Sequence, residues 1–257
     1  MFAGVMWRQP SLPMATMGLG ALAWVAGNLQ WLSGASIFRV VFWWVSFLVF
    51  TIAGERLELG RALGQSSAVR SLFMLAICTV LIGAAVVAGW PPAGVRVIGI
   101  GLVALAIWLA RFDIARRSIS MTGLSRFMGI CLLGGYLWLG FGGVLAAATG
   151  ASSPGALYDA VLHSIFLGFV MSMVFAHTPV IVPAVLGVAV AYRPAFYAHV
   201  AVLHVSLVLR VVGDLVDVLG RWRVYGGLLN AVALLLFVFN TVRSAVLPGL
   251  KTRPTSV

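Results

Sequence analysis

Residues 157–188 read LYDAVLHSIFLGFVMSMVFAHTPVIVPAVLGV, and how this stretch is parsed decides the fold. Apart from Asp159, His163 and His177 it offers no side chain that carries or readily takes a charge. A helix crosses the hydrocarbon with about 20 apolar residues, so the run is one span with an extension. The extension is ambiguous, because residues 179–192 read either as a short separate span or as a continuation of the helix past Pro179 and Pro183. Fourteen residues rise only ~21 Å against a core of ~30 Å. Charge agrees. With a continuous helix, Arg193, Arg243, Lys251 and Arg253 fall inside and Arg221 and Arg223 outside, whereas a separate span reverses the count. The expectation is a proline-kinked sixth span and an all-α, polytopic transmembrane bundle of eight spans, with nine as the alternative.

Working outward, apolar runs separated by Gly, Pro, Ser or Arg place spans near 12–32, 37–54, 71–89, 96–111, 127–149, 157–188, 195–218 and 224–246. The 257 residues are 62% hydrophobic and 9% charged, against about 25% charged in soluble domains, which excludes an ordinary soluble core. Spans fill the chain, so residues 1–257 read as one transmembrane domain with a histidine-bearing hairpin at 157–218. Met1 to Pro13 shows no cleavage pattern and leads into a retained first span.

The net charge of +11 is spread between apolar runs as orientation signals, which excludes a nucleic-acid partner. Arg56, Arg61 and Arg70 follow the second span and Arg111, Arg116, Arg117 and Arg126 the fourth, so these loops and both termini are expected in the cytoplasm, with the protein in a bacterial inner membrane. Trp7, Trp31, Trp90 and Trp222 sit near span ends as interfacial anchors. The fifth span, with GICLLGGYLWLGFGG at 129–143, carries small residues that allow close helix approach. Cys78 and Cys131 lie in apolar runs without a CxxC or CxxCH, which excludes covalent haem.

All four histidines, His163, His177, His199 and His204, fall on the sixth and seventh spans. An intramembrane ionisable group is costly and marks function by default, and imidazole is the commonest metal ligand. His163 and His177 are 14 apart, which returns within ~40° of one helix face, ~21 Å along it. His199 and His204 are five apart, about 140° around, so a symmetric two-haem arrangement is disfavoured. Folding the hairpin about residue 192 sets His177 and His204 ~4.5 Å apart in depth, which makes them the leading ligand pair, followed by His163 and then His199. Arg210 precedes Asp214 by one turn, and Arg56 lies between Glu55 and Glu58, so both read as local ion pairs. The sharper reading makes Arg210 a partner for a haem propionate or quinone oxygen, and Glu55 a proton-handling carboxylate. Asp159 reads as a solvated helix-start acid or as an acceptor orienting His163.

The segment HSIFLGFVMSMVFAHTPVIVPAVLG with RPAFYAHVAVLHVSLVLRVVGDL resembles the histidine-bearing helices of the NnrS family of multi-spanning bacterial membrane proteins. The matching features are His163 with Gly168 and Met173, and LHVSLVLRV around His204 and Arg210. The resemblance implies ligand roles for His163, His177 and His204, bound haem and copper, and a part in nitric-oxide and denitrification metabolism. Two expectations follow. One is a membrane protein binding haem b, and copper with it, that handles nitric oxide or passes electrons to a redox partner or quinone. The other is a permease or membrane interaction subunit whose histidines make interhelical bonds or relay protons.

Overall fold

Eight helices long and apolar enough to cross a membrane make up the bundle, and the computed structural model describes residues 11–246 of the chain. They are α1 (Leu12–Leu32), α2 (Ile37–Leu59), α3 (Ser67–Val86), α4 (Pro91–Phe112), α5 (Gly123–Thr149), α6 (Ala156–Leu186), α7 (Phe196–Leu215) and α8 (Gly220–Val246). The expected all-α architecture of eight spans is what the chain adopts. Trp7, Lys251, Arg253 and the two termini lie outside the described residues.

Local chemistry sets the ends. Ser11 caps α1 through Met14 N at 3.4 Å and Ser66 caps α3 through Val69 N at 3.3 Å, each meeting an orphan first-turn donor. Pro91 opens α4, where a missing N–H costs nothing. Residues 179–192 do not form a ninth span, because α6 continues unbroken through Pro179 and Pro183 and stops at Gly187, whose φ of +67° ends it in a left-handed cap.

Inside α6 the sequence reading missed a feature. Ser164–Val170 is π-helical. A π-bulge inserts an extra residue and turns the following helix by roughly 100° relative to the regular repeat. His163 and His177 therefore do not share a face.

Neighbours in sequence pack as pairs, α1 on α2, α3 on α4, α4 on α5 and α7 on α8, while α6 joins the groups by touching α2, α5, α7 and α8. The fifth-span glycines serve packing as expected: a Cβ at Gly143 would lie 2.9 Å from Gly99 O, and one at Gly135 2.5 Å from Met173 Cε. Phe42 and Val49 of α2, Ile98 and Leu105 of α4, Leu139 of α5 and Phe169 of α6 are fully buried where these helices meet. Trp31, Trp90 and Trp222 stand exposed at helix ends.

The register of the α6–α7 hairpin differs from the expected one. Phe175 stacks edge-on against His199 with ring centroids 4.7 Å apart, so facing positions sum to about 374 rather than 384. His177 then faces residue 197 and His204 faces residue 170, about 10 Å apart in depth.

Candidate functional site

The buried charge in the bundle centres on Arg56 near the end of α2. Arg56 is 3% exposed and Asp113, just past α4, has a fully buried side chain. Neither ion could stay charged there alone. Arg56 Nε and Nη2 reach Asp113 Oδ1 at 3.2 and 3.1 Å, and Nη2 also reaches Oδ2 at 3.1 Å. Tyr136 OH of α5 donates to Oδ2 at 2.8 Å, and Ala115 N does so at 3.2 Å. Asp113 thus has donors on both oxygens, drawn from α2, α5 and the chain just after α4.

The guanidinium's remaining face meets α6. Arg56 Nη1 lies 3.2 Å from His177 Nε2, and Glu55 Oε1 lies 3.9 Å from the same nitrogen. His177 Nδ1 is 2.7 Å from Met173 O. A carbonyl only accepts, so Nδ1 carries the hydrogen and Nε2 is the atom that gains or loses a proton. Glu55 is half-exposed, at 46% of its side chain. A cavity of about 550 Å³ lined by Gln65, Arg111, Arg116 and Arg117 reaches Asp113 from the arginine-rich side of the bundle.

These contacts correct the local pairing read from the sequence. Arg56 bonds Asp113, 57 positions away, and of its neighbouring glutamates Glu58 pairs with Arg61 at 2.9 Å while Glu55 turns to His177. Asp113 and Tyr136 were missed. Asp113 could have been found by counting, since the chain has only six acidic residues and this one sits alone among arginines in RFDIARR.

The opposite end of α6 holds a second cluster. Asp214 of α7, its side chain fully buried, lies 2.6 Å from Arg223 Nε and 3.5 Å from Arg210 Nε, at angles off the hydrogen-bonding line that leave both its oxygens without a directed donor. Asp159 Oδ2 lies 3.4 Å from Arg223 and 3.7 Å from Arg210. The one-turn Arg210–Asp214 pair expected from sequence is present, but Arg223 is the nearer partner. Asp159 is a partly exposed ion-pair member, and its backbone carbonyl, not its carboxylate, takes His163 Nδ1 at 2.7 Å.

The other histidines lie elsewhere. His204 Nδ1 accepts from Trp138 Nε1 at 2.9 Å. His199 sits among Phe127, Phe175, Phe196 and Phe237, with Asn240 Nδ2 3.3 Å from Nδ1 and its buried Nε2 unpartnered. The expected His177–His204 pair is not brought together: one joins the α2 network and the other faces α5. Among the described residues no three His, Cys, Asp or Glu converge on a point that could hold a metal ion.

Fold and network together define a polytopic helical membrane protein with a buried Arg–Asp–Tyr–His network that surfaces at Glu55 and is drawn from four of its elements. The chain belongs to the family described as Domain of unknown function (DUF8744), whose model matches residues 1–246. No curated protein and no solved structure matches it significantly.

Proposed function

We propose that this protein handles protons in the membrane, as a proton-coupled permease or relay subunit, with His177 and Glu55 as the exchanging pair. The supporting observation is the position of His177 Nε2 between Arg56 Nη1 and Glu55 Oε1. Neutral His177 accepts from Arg56. Once protonated, Nε2–H has only Glu55 to bond and is repelled by Arg56. Arg56, Asp113 and Glu55 sum to one negative charge, so one proton on the His177–Glu55 pair makes the network neutral. Arg56 is held by Asp113, which Tyr136 holds in turn, and this leaves the imidazole as the part that switches. The bacterial inner membrane is the proposed location, with the arginine-rich side and both termini in the cytoplasm. Glu55 and the Asp113 cavity would then take protons from the cytoplasm.

The haem and copper reading of the NnrS resemblance draws less support from the geometry. Indole N–H only donates, so His204 Nδ1 is an acceptor and its Nε2 keeps a proton that a metal ligand would have to lose. His177 Nε2 is engaged by Arg56. His199 Nε2 is unpartnered but enclosed by phenylalanine rings. His163 is anchored through Nδ1 and has no bonded partner for Nε2 among the described residues, and it stands in the other cluster. A redox partner or quinone oxygen at Arg210 would compete with Asp159 and Asp214.

Proteoliposomes enclosing a pH-sensitive dye, given a potassium-diffusion potential, test the reading. Wild type should acidify the lumen, and His177→Gln and Glu55→Gln should each slow this at least tenfold. Equal rates in wild type and both variants would overturn it. A Soret band in the purified protein that is lost in His163→Ala would revive the haem reading.

A further inference from the structure

Between α5 and α7 lies a cavity of about 670 Å³ that the proton network does not use. Its lining includes Gly134, Leu137, Trp138 and Phe141 of α5, and His204 and Val208 of α7. Leu137 is 75% exposed and Val208 51%, so the mouth opens sideways, toward the hydrocarbon of a surrounding bilayer. Apart from the His204 ring the wall is built from carbon.

That ring has a fixed proton. Trp138 Nε1 donates to Nδ1, which leaves the hydrogen of neutral His204 on Nε2. Among the described residues Nε2 has no acceptor. Gly134 faces it, and a methyl group there would come within 3.0 Å of Nε2 and 3.1 Å of Cε1. An N–H donor at the wall of an apolar, water-poor cavity is costly while unmet. The cavity therefore suits an apolar molecule that brings one hydrogen-bond acceptor.

Depth narrows the class. His204 is the ninth residue of the 20-residue α7, close to the middle of the span. Phospholipid ester carbonyls lie at the interface and do not reach that level. A membrane-soluble ring carbonyl does. From His204 to Leu215, the cavity's far end, α7 rises about 16 Å, a trough long enough for an isoprenoid tail. We propose that this cavity binds a membrane quinone, with a ring carbonyl oxygen accepting the His204 Nε2–H and the tail lying along Val208 toward Leu215.

The site shares no residue with Glu55, Arg56, Asp113, Tyr136 or His177, so this inference and the proton reading stand or fall separately. Decylubiquinone, titrated into protein in quinone-free phosphatidylcholine nanodiscs and followed by tryptophan quenching, should bind saturably. His204→Phe keeps the shape but removes the donor and should weaken binding about tenfold. His204→Gln retains a donor and should lose less. Val208→Trp fills the trough and should abolish binding, with a monodisperse elution profile confirming its fold. Non-saturable quenching in wild type, or equal affinity in wild type, His204→Phe and Val208→Trp, would overturn the proposal. Displacement of decylubiquinone by added phosphatidylglycerol at equal mole fraction would also overturn it, since the cavity would then be a general lipid groove.

Discussion

At the Arg56 end of α6 both oxygens of Asp113 meet directed donors, whereas at the Asp159 end Asp214 is just as buried but is met by two arginines off the hydrogen-bonding line. The first network draws on α2, α5 and α6 and opens only at Glu55 and at the cavity beside Asp113. The second is open, with Asp159 and Arg223 each exposed over 38% of their side chains. A buried ion is tolerated when its remaining bonding sites are satisfied, and a half-exposed pair is screened by water. The Arg56 end should therefore behave as a rigid frame around one mobile proton, and the Asp159 end as an adjustable ion-pair cluster.

Removing one partner tests this most severely. Arg56→Ala leaves Asp113 buried without its counter-ion and should cost about 3–5 kcal/mol, seen as a large drop in melting temperature in detergent. Arg223→Ala leaves Asp214 with Arg210 still 3.5 Å away and should cost about 1–3 kcal/mol. Equal losses in the two variants would remove the distinction between the ends. Tyr136→Phe deletes a single donor to Asp113 while keeping the ring in place, so a loss of about 1–2 kcal/mol is expected. A Tyr136→Phe protein as stable as wild type would mean that Asp113 does not depend on α5.

The eight spans were legible because membrane length and apolarity act on composition alone: a run of the right length is a span whatever it packs against. The position of α6 relative to its neighbours was not. SIFLGFV reads like any apolar helical turn, and nothing in its composition announces the extra residue that turns His177 away from the face of His163. The facing register of α6 and α7 was misplaced because folding about the middle of the connection assumes an even turn, and the segment from Gly187 to Ala195 is not shared evenly between the two helices. Arg56 looked locally satisfied because glutamates flank it in sequence, although at one and two positions along a helix neither points to the same side. Its true partner lies on a loop whose arginines drew attention as orientation signals. Histidine concentration pointed to α6 and α7, yet tautomers and partners depend on Trp138, Met173 and Asn240, which no spacing rule selects.

The smallest expected effect concerns His199, which ranked last among the ligand candidates. Its ring is 1% exposed and packed by four phenylalanines, and Nε2 has no hydrogen-bond partner. An unmet buried nitrogen costs free energy, and phenylalanine would remove it while filling nearly the same volume. Against that gain stands the loss of the 3.3 Å contact with Asn240, whose amide also reaches Ala195 O at 3.3 Å and so keeps one acceptor. The two terms are of similar size, so His199→Phe should change stability by less than about 1 kcal/mol in either direction, and leave both proton flux and quinone binding at wild-type levels. His199→Ala should instead cost about 2–4 kcal/mol through the cavity left among the rings. If His199→Phe proves as damaging as His199→Ala, the imidazole nitrogens matter beyond packing, and His199 would join His177 as a candidate for the proposed proton exchange at the arginine-rich end of the bundle.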